Sequence, residues 1–288
     1  MRPFRLATVV AMVVAMYPMV GRAEHALRPK PSDLGGGAPL PADTVKRLRS
    51  GQPSLIRSAL DDIRISGRAG AAAVPAVVDL LRQGISPTLT LAALETLGDT
   101  ESPAASDVVA WYTRHKNIAL RRAAVEALVK TGGGVATKAL KAALSDSDVA
   151  VRGLSATGLG TLKAKDAVPE LFAALERHVP EAAASIGELC AAPDCEHLAS
   201  KLGTIPFDVV ASGLDEVLLR PPGEVSDDVK VKIVDSLREV GTAEVNHFLK
   251  RVQARLPAHG WVRVKHAIDQ TVLATAGSPG SDGAEVGP

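Results

Sequence analysis

The chain has 288 residues, 33 Lys and Arg against 32 Asp and Glu, and 46% hydrophobic residues of which few are aromatic. Balanced charge argues against attachment to nucleic acid or anionic lipid by bulk electrostatics, which needs clustered excess Lys and Arg. The hydrophobic content excludes wholesale disorder. Four Phe, two Tyr and two Trp are too few for an aromatic-cored β-sandwich, whereas the Ala, Leu and Val that carry the hydrophobic content favour helices.

The first element is an export signal. Arg2 and Arg5 make a positive start, and residues 6–16 form an apolar run too short for a membrane span of about 20 residues. Pro18 follows, and Gly21-Arg22-Ala23 places small residues at the −3 and −1 positions of a cleavage site, predicting a cut after Ala23. An uncleaved N-terminal anchor is the other reading. Cleavage removes Arg2, Arg5 and Arg22 and no acid, so the mature chain carries 30 basic and 32 acidic groups, net −2. Its expected location is periplasmic or secreted.

Residues 24–52 read as a linker, because Pro29, Pro31, Gly35-Gly36-Gly37, Pro39 and Pro41 block helix propagation. Residues 42–50 are compatible with a helical turn or two. From residue 54 to 274 the chain repeats. Leu89, Leu120 and Val151 recur at intervals of 31, as do Ala93, Ala124 and Ser155, then Leu97, Leu128 and Leu159. Ser185 and Leu189 continue at an offset of 30, and Ala59 and Ile63 begin an earlier copy. Residues 228–232 (DVKVK) recur as 261–265 (WVRVK), an offset of 33.

Each copy places a large, a small and a large apolar residue four apart, which lines one stripe of a helix with a close-approach position in the middle. A second amphipathic stretch follows at residues 73–81, 135–144, 167–175 and 243–256, with Pro75 and Pro169 in the first turn, where a missing N–H costs nothing. A two-helix unit near 31 residues cannot bury its stripe alone, so neighbours must stack. The predicted fold is all-α, an α-solenoid of about six or seven antiparallel helix pairs. Residues 275–288 form a tail predicted to be disordered, since 277–288 (GSPGSDGAEVGP) has almost nothing to bury.

The cadence Asp148-Val-Ala-Val-Arg152, Leu159-Gly160, Asp166-Ala-Val-Pro-Glu-Leu171 resembles the HEAT repeat, and more narrowly the short HEAT-like form first associated with phycobilisome bilin lyases. Residues 226–232 with 241–245 resemble it again, with Lys where the family usually has Arg. The resemblance spans roughly residues 54–274 and implies a HEAT/armadillo-like superhelix. It also implies that Arg121, Arg122 and Arg152 build the repeat by pairing with an acid of a neighbour, Asp146 or Asp148. A basic ladder for an acidic partner is the alternative. Residues 207–219 form a good helix that Arg220-Pro-Pro-Gly223 cuts off from a partner, leaving a degenerate repeat or an irregular insert.

Few residues suggest chemistry. Cys190 ends one helix, Pro193 turns the chain and Cys195 starts the next, so an exported protein would join the two cysteines in a disulfide. Adding His197 gives a metal-site reading that lacks a fourth ligand; free thiols are a third. None of the seven histidines precedes Glu, so the His-Glu dipeptides of HEAT-like di-iron hydroxylases are missing. Gly132-Gly-Gly-Val-Ala-Thr-Lys138 lacks the Gly before Lys and follows a helix, which makes it an inter-helix turn rather than a phosphate loop. Asp61-Asp62 are neighbours that point apart, and Asp227-Asp228 reads as a cap before a helix at Val229. No cofactor or metal site is expected.

Trp111-Tyr112-Thr113-Arg114-His115 stands out on a second helix. In the 31-residue register Trp111 falls under Ala142 and Ala173, and Tyr112 under Ala143 and Ala174. Two bulky aromatics replacing small residues either fill a less regular repeat or expose an aromatic-arginine anchor on the concave face, which second helices line in HEAT arrays. Trp111, Tyr112, Arg114 and His115 are therefore the candidate protein-binding surface. The sequence predicts a non-enzymatic scaffold or adaptor with a protein partner on that face, no nucleic acid and no stable membrane insertion after cleavage. The alternatives are a structural subunit of an envelope assembly and a HEAT-like lyase-type enzyme.

Overall fold

A computed structural model describes residues 39–257 and 259–276. The expected export signal, most of the expected linker and residues 277–288 lie outside them. Fifteen α-helices occupy the described residues. They are α1 Thr44–Leu48, α2 Pro53–Ser66, α3 Val74–Gln83, α4 Pro87–Asp99, α5 Ser106–Tyr112, α6 Ile118–Thr131, α7 Gly133–Ala143 and α8 Val149–Thr161. Then come α9 Val168–Glu176, α10 Glu181–Leu189, α11 Ala192–Ala199, α12 Phe207–Leu219, α13 Asp227–Val240, α14 Ala243–Arg255 and α15 Val262–Ala274. The only β pairing among the described residues is an isolated bridge between Leu202 and Ile205. None of the helices is long and apolar enough to cross a membrane.

The helices start where short polar side chains can satisfy free N–H groups. Ser86, Asn117, Asp148, Ser226 and Thr242 each accept a hydrogen bond from a backbone N–H in the first turn of α4, α6, α8, α13 and α14. Ser226 is thus the cap of α13, one turn before the predicted start. Asp227 and Asp228 lie inside its first turn, where their charge complements the helix dipole.

Two rows of helices form. The first helices α2, α4, α6, α8, α10 and α12 stack in one row, and α5 packs on α7 in the other. The residues of the large-small-large stripe lie at these contacts: Ala93, Ala124 and Ser155 are fully buried, as are Leu97, Leu128 and Leu159. Each fully buried Leu contributes on the order of 2 kcal/mol through apolar area removed from water. Small middle positions bring the helix axes close. At α10 and α12 the approach reaches backbone contact, because a methyl group added to Gly187 would lie 2.1 Å from Gly213 O.

The two rows exchange roles after α12. That helix stacks on α10 as a first helix should, but no second helix follows it. The chain instead crosses residues 220–226 into α13, which carries the first-helix sequence pattern yet packs against α11, a second helix. From there α12 packs on α14 and α13 on α15. Residues 207–219 are therefore half of a repeat. The register of the last copy also differs from the 33-residue offset read in sequence. Val229 and Ile233 of α13 correspond by helix start and burial to Val264 and Ile268 of α15, an offset of 35.

The N-terminal end of the array is covered. α1 packs on α2 and α3, with Leu48 and Thr44 buried, so the last part of the linker belongs to the fold. Thr275, assigned to the tail in sequence, is buried too, because its hydroxyl accepts a hydrogen bond from Asn246 Nδ2 at 3.0 Å.

Candidate functional site

Acid-base pairs tie successive repeats together and decide which cations remain free. Arg121 donates to both carboxylate oxygens of Asp146, each at 2.8 Å, and Arg122 grips Asp148 the same way at 3.0 and 2.8 Å. These are the pairings the repeat pattern implied. Arg152 instead donates to the carbonyls of Asp146 and Ser147. Burial alone would push the Asp146 carboxyl up, but hydrogen bonds from Arg121 and the Asp148 N–H, with the charge of Arg121, leave it below its ordinary range. The guanidinium of Arg122 holds Asp148 down as well. Lys130–Asp99, Lys141–Glu170, Lys163–Glu188 and Lys201–Glu176 extend the ladder.

Against this background the C-terminal end of α5 is different. Trp111 is 70% exposed, whereas Tyr112 is buried. The 31-residue register explains the split: Ala143 and Ala174, below Tyr112, are buried, and Ala142, below Trp111, is exposed. Tyr112 therefore belongs to the core rather than to the contact surface proposed from sequence. Its Oη donates to Leu81 O of α3 at 3.2 Å, and burial pushes its phenol up. The Trp111 ring meets Tyr112 edge-on at 5.3 Å, and the His115 ring stacks on Tyr112 at 5.9 Å. His115 is further fixed by accepting at Nδ1 from the Asn117 N–H, 3.0 Å away.

Two open grooves flank this platform and share His115. One, of about 580 Å³, runs between α3 and α5 and is lined by Leu81, Ile85, Val108, Trp111 and Tyr112, with Arg82 and Asp107 among its polar members. The other, of about 350 Å³, lies between α5 and α7 and is lined by Arg114, Lys116 and Arg121 opposite Ala142, Ser145 and Asp146. Among the described residues Arg114 and Lys116 are exposed and have no acid partner. Lys116 and the α3–α5 groove leave no signal in the sequence, since a groove between repeats has no signature in one helix.

The other sequence candidates resolve into structure. Cys190 and Cys195 form a disulfide with a Cα–Cα distance of 5.4 Å. Pro193 lies in the first turn of α11, which begins three residues before Cys195 rather than at it. With both sulfurs bonded, a Cys190/Cys195/His197 metal site is excluded, and the His197 ring packs on Phe172 at 4.7 Å. Among the described residues no cluster of three or more His, Cys, Asp or Glu is placed to hold a metal ion. Gly132 links α6 directly to α7 with φ of 66°, an inter-helix turn as expected.

Stacked antiparallel helix pairs with a continuous core define an α-solenoid. Residues 74–149, a stretch that contains Trp111, match the family model described as HEAT repeats. Solved structures align with about four-fifths of this chain. One is the complex of CpcE and CpcF of phycocyanin lyase from Nostoc sp. PCC7120, at 19% identity over 79% of this chain and 93% of that one, TM-score 0.43. Two engineered proteins match at 15% identity over 82% of this chain and 68% of that one (TM-score 0.43), and at 14% over 81% and 95% (TM-score 0.37). No curated protein matches the chain. Likeness at this level says nothing about activity.

Proposed function

We propose that the protein is an exported, non-enzymatic scaffold or adaptor of the periplasm or cell envelope that binds a protein partner at the C-terminal end of α5. The observation that carries this reading is the exposed Trp111, held on a rigid platform of Tyr112 and His115 beside the free Arg114. An exposed Trp whose neighbours are already fixed loses little side-chain freedom on binding, and Trp and Arg dominate the energetics of protein interfaces. Export is supported by Arg2, Arg5, the apolar residues 6–16 and the Gly21-Arg22-Ala23 junction, and the disulfide fits an oxidising compartment. Face-lining by second helices gives the partner a long surface along which contacts add.

Crosslinking and recovery from the envelope fraction tests this. The expected result is one stoichiometric protein partner, lost in Trp111→Ala with Arg114→Ala while circular dichroism stays unchanged. A bound small molecule in place of a protein, or partner binding that survives both substitutions, would overturn it. Recovered protein should begin at Glu24.

A further inference from the structure

The two grooves beside Trp111 differ in character, and the difference describes the ligand. The α3–α5 groove is walled by Leu81, Ile85, Val108 and the Trp111 ring. Across His115, the α5–α7 groove presents Arg114 and Lys116. Its one acid, Asp146, is already gripped by Nε and Nη2 of Arg121 and by the Asp148 N–H. At its far side Arg177 is exposed and meets only the hydroxyl of Ser145, at 3.4 Å. Arg114, Lys116 and Arg177 are exposed and have no acid partner among the described residues, so three cations stand together along this groove. The single carboxylate on the apolar side is Asp107, at the start of α5 and away from the Arg114 end.

Resting on the protein-binding reading above, we infer that the partner presents an extended segment whose bulky apolar residue lies against Trp111 and whose adjoining acidic residues lie over Arg114, Lys116 and Arg177. Charge complementarity selects this occupant. A neutral apolar segment would fill the first groove and leave the cations of the second unanswered, and a basic one would be repelled. Two inter-helix grooves span about 20 Å, which about six extended residues cover. Because these cations lie at the rim, they set specificity and association rate more than total affinity, and their effect must fall with salt.

Selection from a random peptide display library on the purified chain, with counter-selection on Trp111→Ala, tests the inference. Peptides that depend on Trp111 should be enriched in Asp and Glu beside a large apolar residue. A synthetic peptide of that pattern should bind about tenfold tighter than its Gln counterpart, and the gap should close as salt is raised. Arg114→Glu with Lys116→Glu should invert the preference towards a Lys-bearing peptide, a gain that misfolding does not produce. Trp111-dependent peptides without acidic bias would overturn the inference and leave the protein-binding reading standing. A library that yields no Trp111-dependent peptide would overturn that reading as well. Trp111-dependent binding to phosphatidylglycerol vesicles in place of peptides would assign the surface to lipid and overturn both.

Discussion

The regular array from α2 to α11 and the C-terminal part from α12 to α15 solve the same packing problem with different means. In the first, Ala93, Ala124 and Ser155 keep the row in step, and a buried charge such as Arg121 is matched by an acid, Asp146, gripped by two nitrogens. In the second, the rows change places at residues 220–226, and a charge lies inside. Lys230 is fully buried, donates to the Arg220 carbonyl, and sits 3.4 Å from the Trp261 ring centroid. Desolvation pushes its ammonium down to about 8, against the attraction of Asp227. Arg220 itself caps α10, donating to Cys190 O at 2.8 Å and Gly187 O at 3.3 Å. A repeat can thus be broken without losing the core, provided the crossing segment satisfies the helix ends it leaves open.

Glycine substitutions test most directly how the two regions are joined, at the contact of α10 with α12. In Gly213→Ala the added methyl would lie 2.3 Å from Ala183 O, so the α10–α12 junction should lose about 3 kcal/mol in urea unfolding. Gly134→Ala in α7 meets nothing within 4 Å and should be neutral or slightly stabilising. Equal effects would mean that backbone contact does not set the α10–α12 spacing. Reducing the Cys190–Cys195 bond should cost about 2 kcal/mol, since it closes a short loop. Hydrogen exchange should show the loss at α10 and α11 while α4 and α6 keep their protection; uniform loss would contradict a local role.

The two regions should also respond to opposite ends of the pH scale. Asp146 and Asp148 titrate below their unfolded values, so their stabilisation is present above about pH 4 and is lost as pH falls through their folded values. Asp146→Asn should flatten that acid limb. Lys230 releases its proton near pH 8 when folded and near 10.5 when unfolded, so the unfolded chain binds more protons between those values and stability should rise with pH from 8 to about 10. Lys230→Met should abolish the rise and add about 1 kcal/mol at neutral pH, because a buried charge costs more in desolvation than its partners return. A variant less stable than wild type would show that the contacts with Trp261 and Arg220 outweigh the desolvation. Trp111→Ala should move stability by less than about 0.5 kcal/mol, because the ring is exposed.

Most of the site's residues were legible one helix at a time, but not their division of labour. The register placed Trp111 and Tyr112 on adjacent stripes. Only the position of α3 showed that Leu81 O receives the Tyr112 hydroxyl, burying one aromatic and presenting the other. Lys116 carried no signal, since its role depends on the acids of neighbouring repeats being engaged elsewhere. The DVKVK and WVRVK segments misled for a related reason: similar residues occupy different turns, because Ser226 caps α13 whereas α15 begins after Trp261 at φ of 58°.

By itself the sequence determined the helices and their need to stack, because a large-small-large stripe repeated every 31 residues can be buried only against copies of itself. It also offered a Cys190–Cys195 disulfide as the first of three readings, and the family resemblance implied that Arg121 and Arg122 pair with Asp146 or Asp148 without saying which takes which. The tertiary structure decided what depends on partners distant in sequence. These are the exchange of rows after α12, the burial of Lys230 under Trp261, and the choice of Trp111 as the exposed ring. Local pattern fixes which face of a helix is apolar, whereas the row it joins depends on which neighbours can satisfy its ends and admit its backbone.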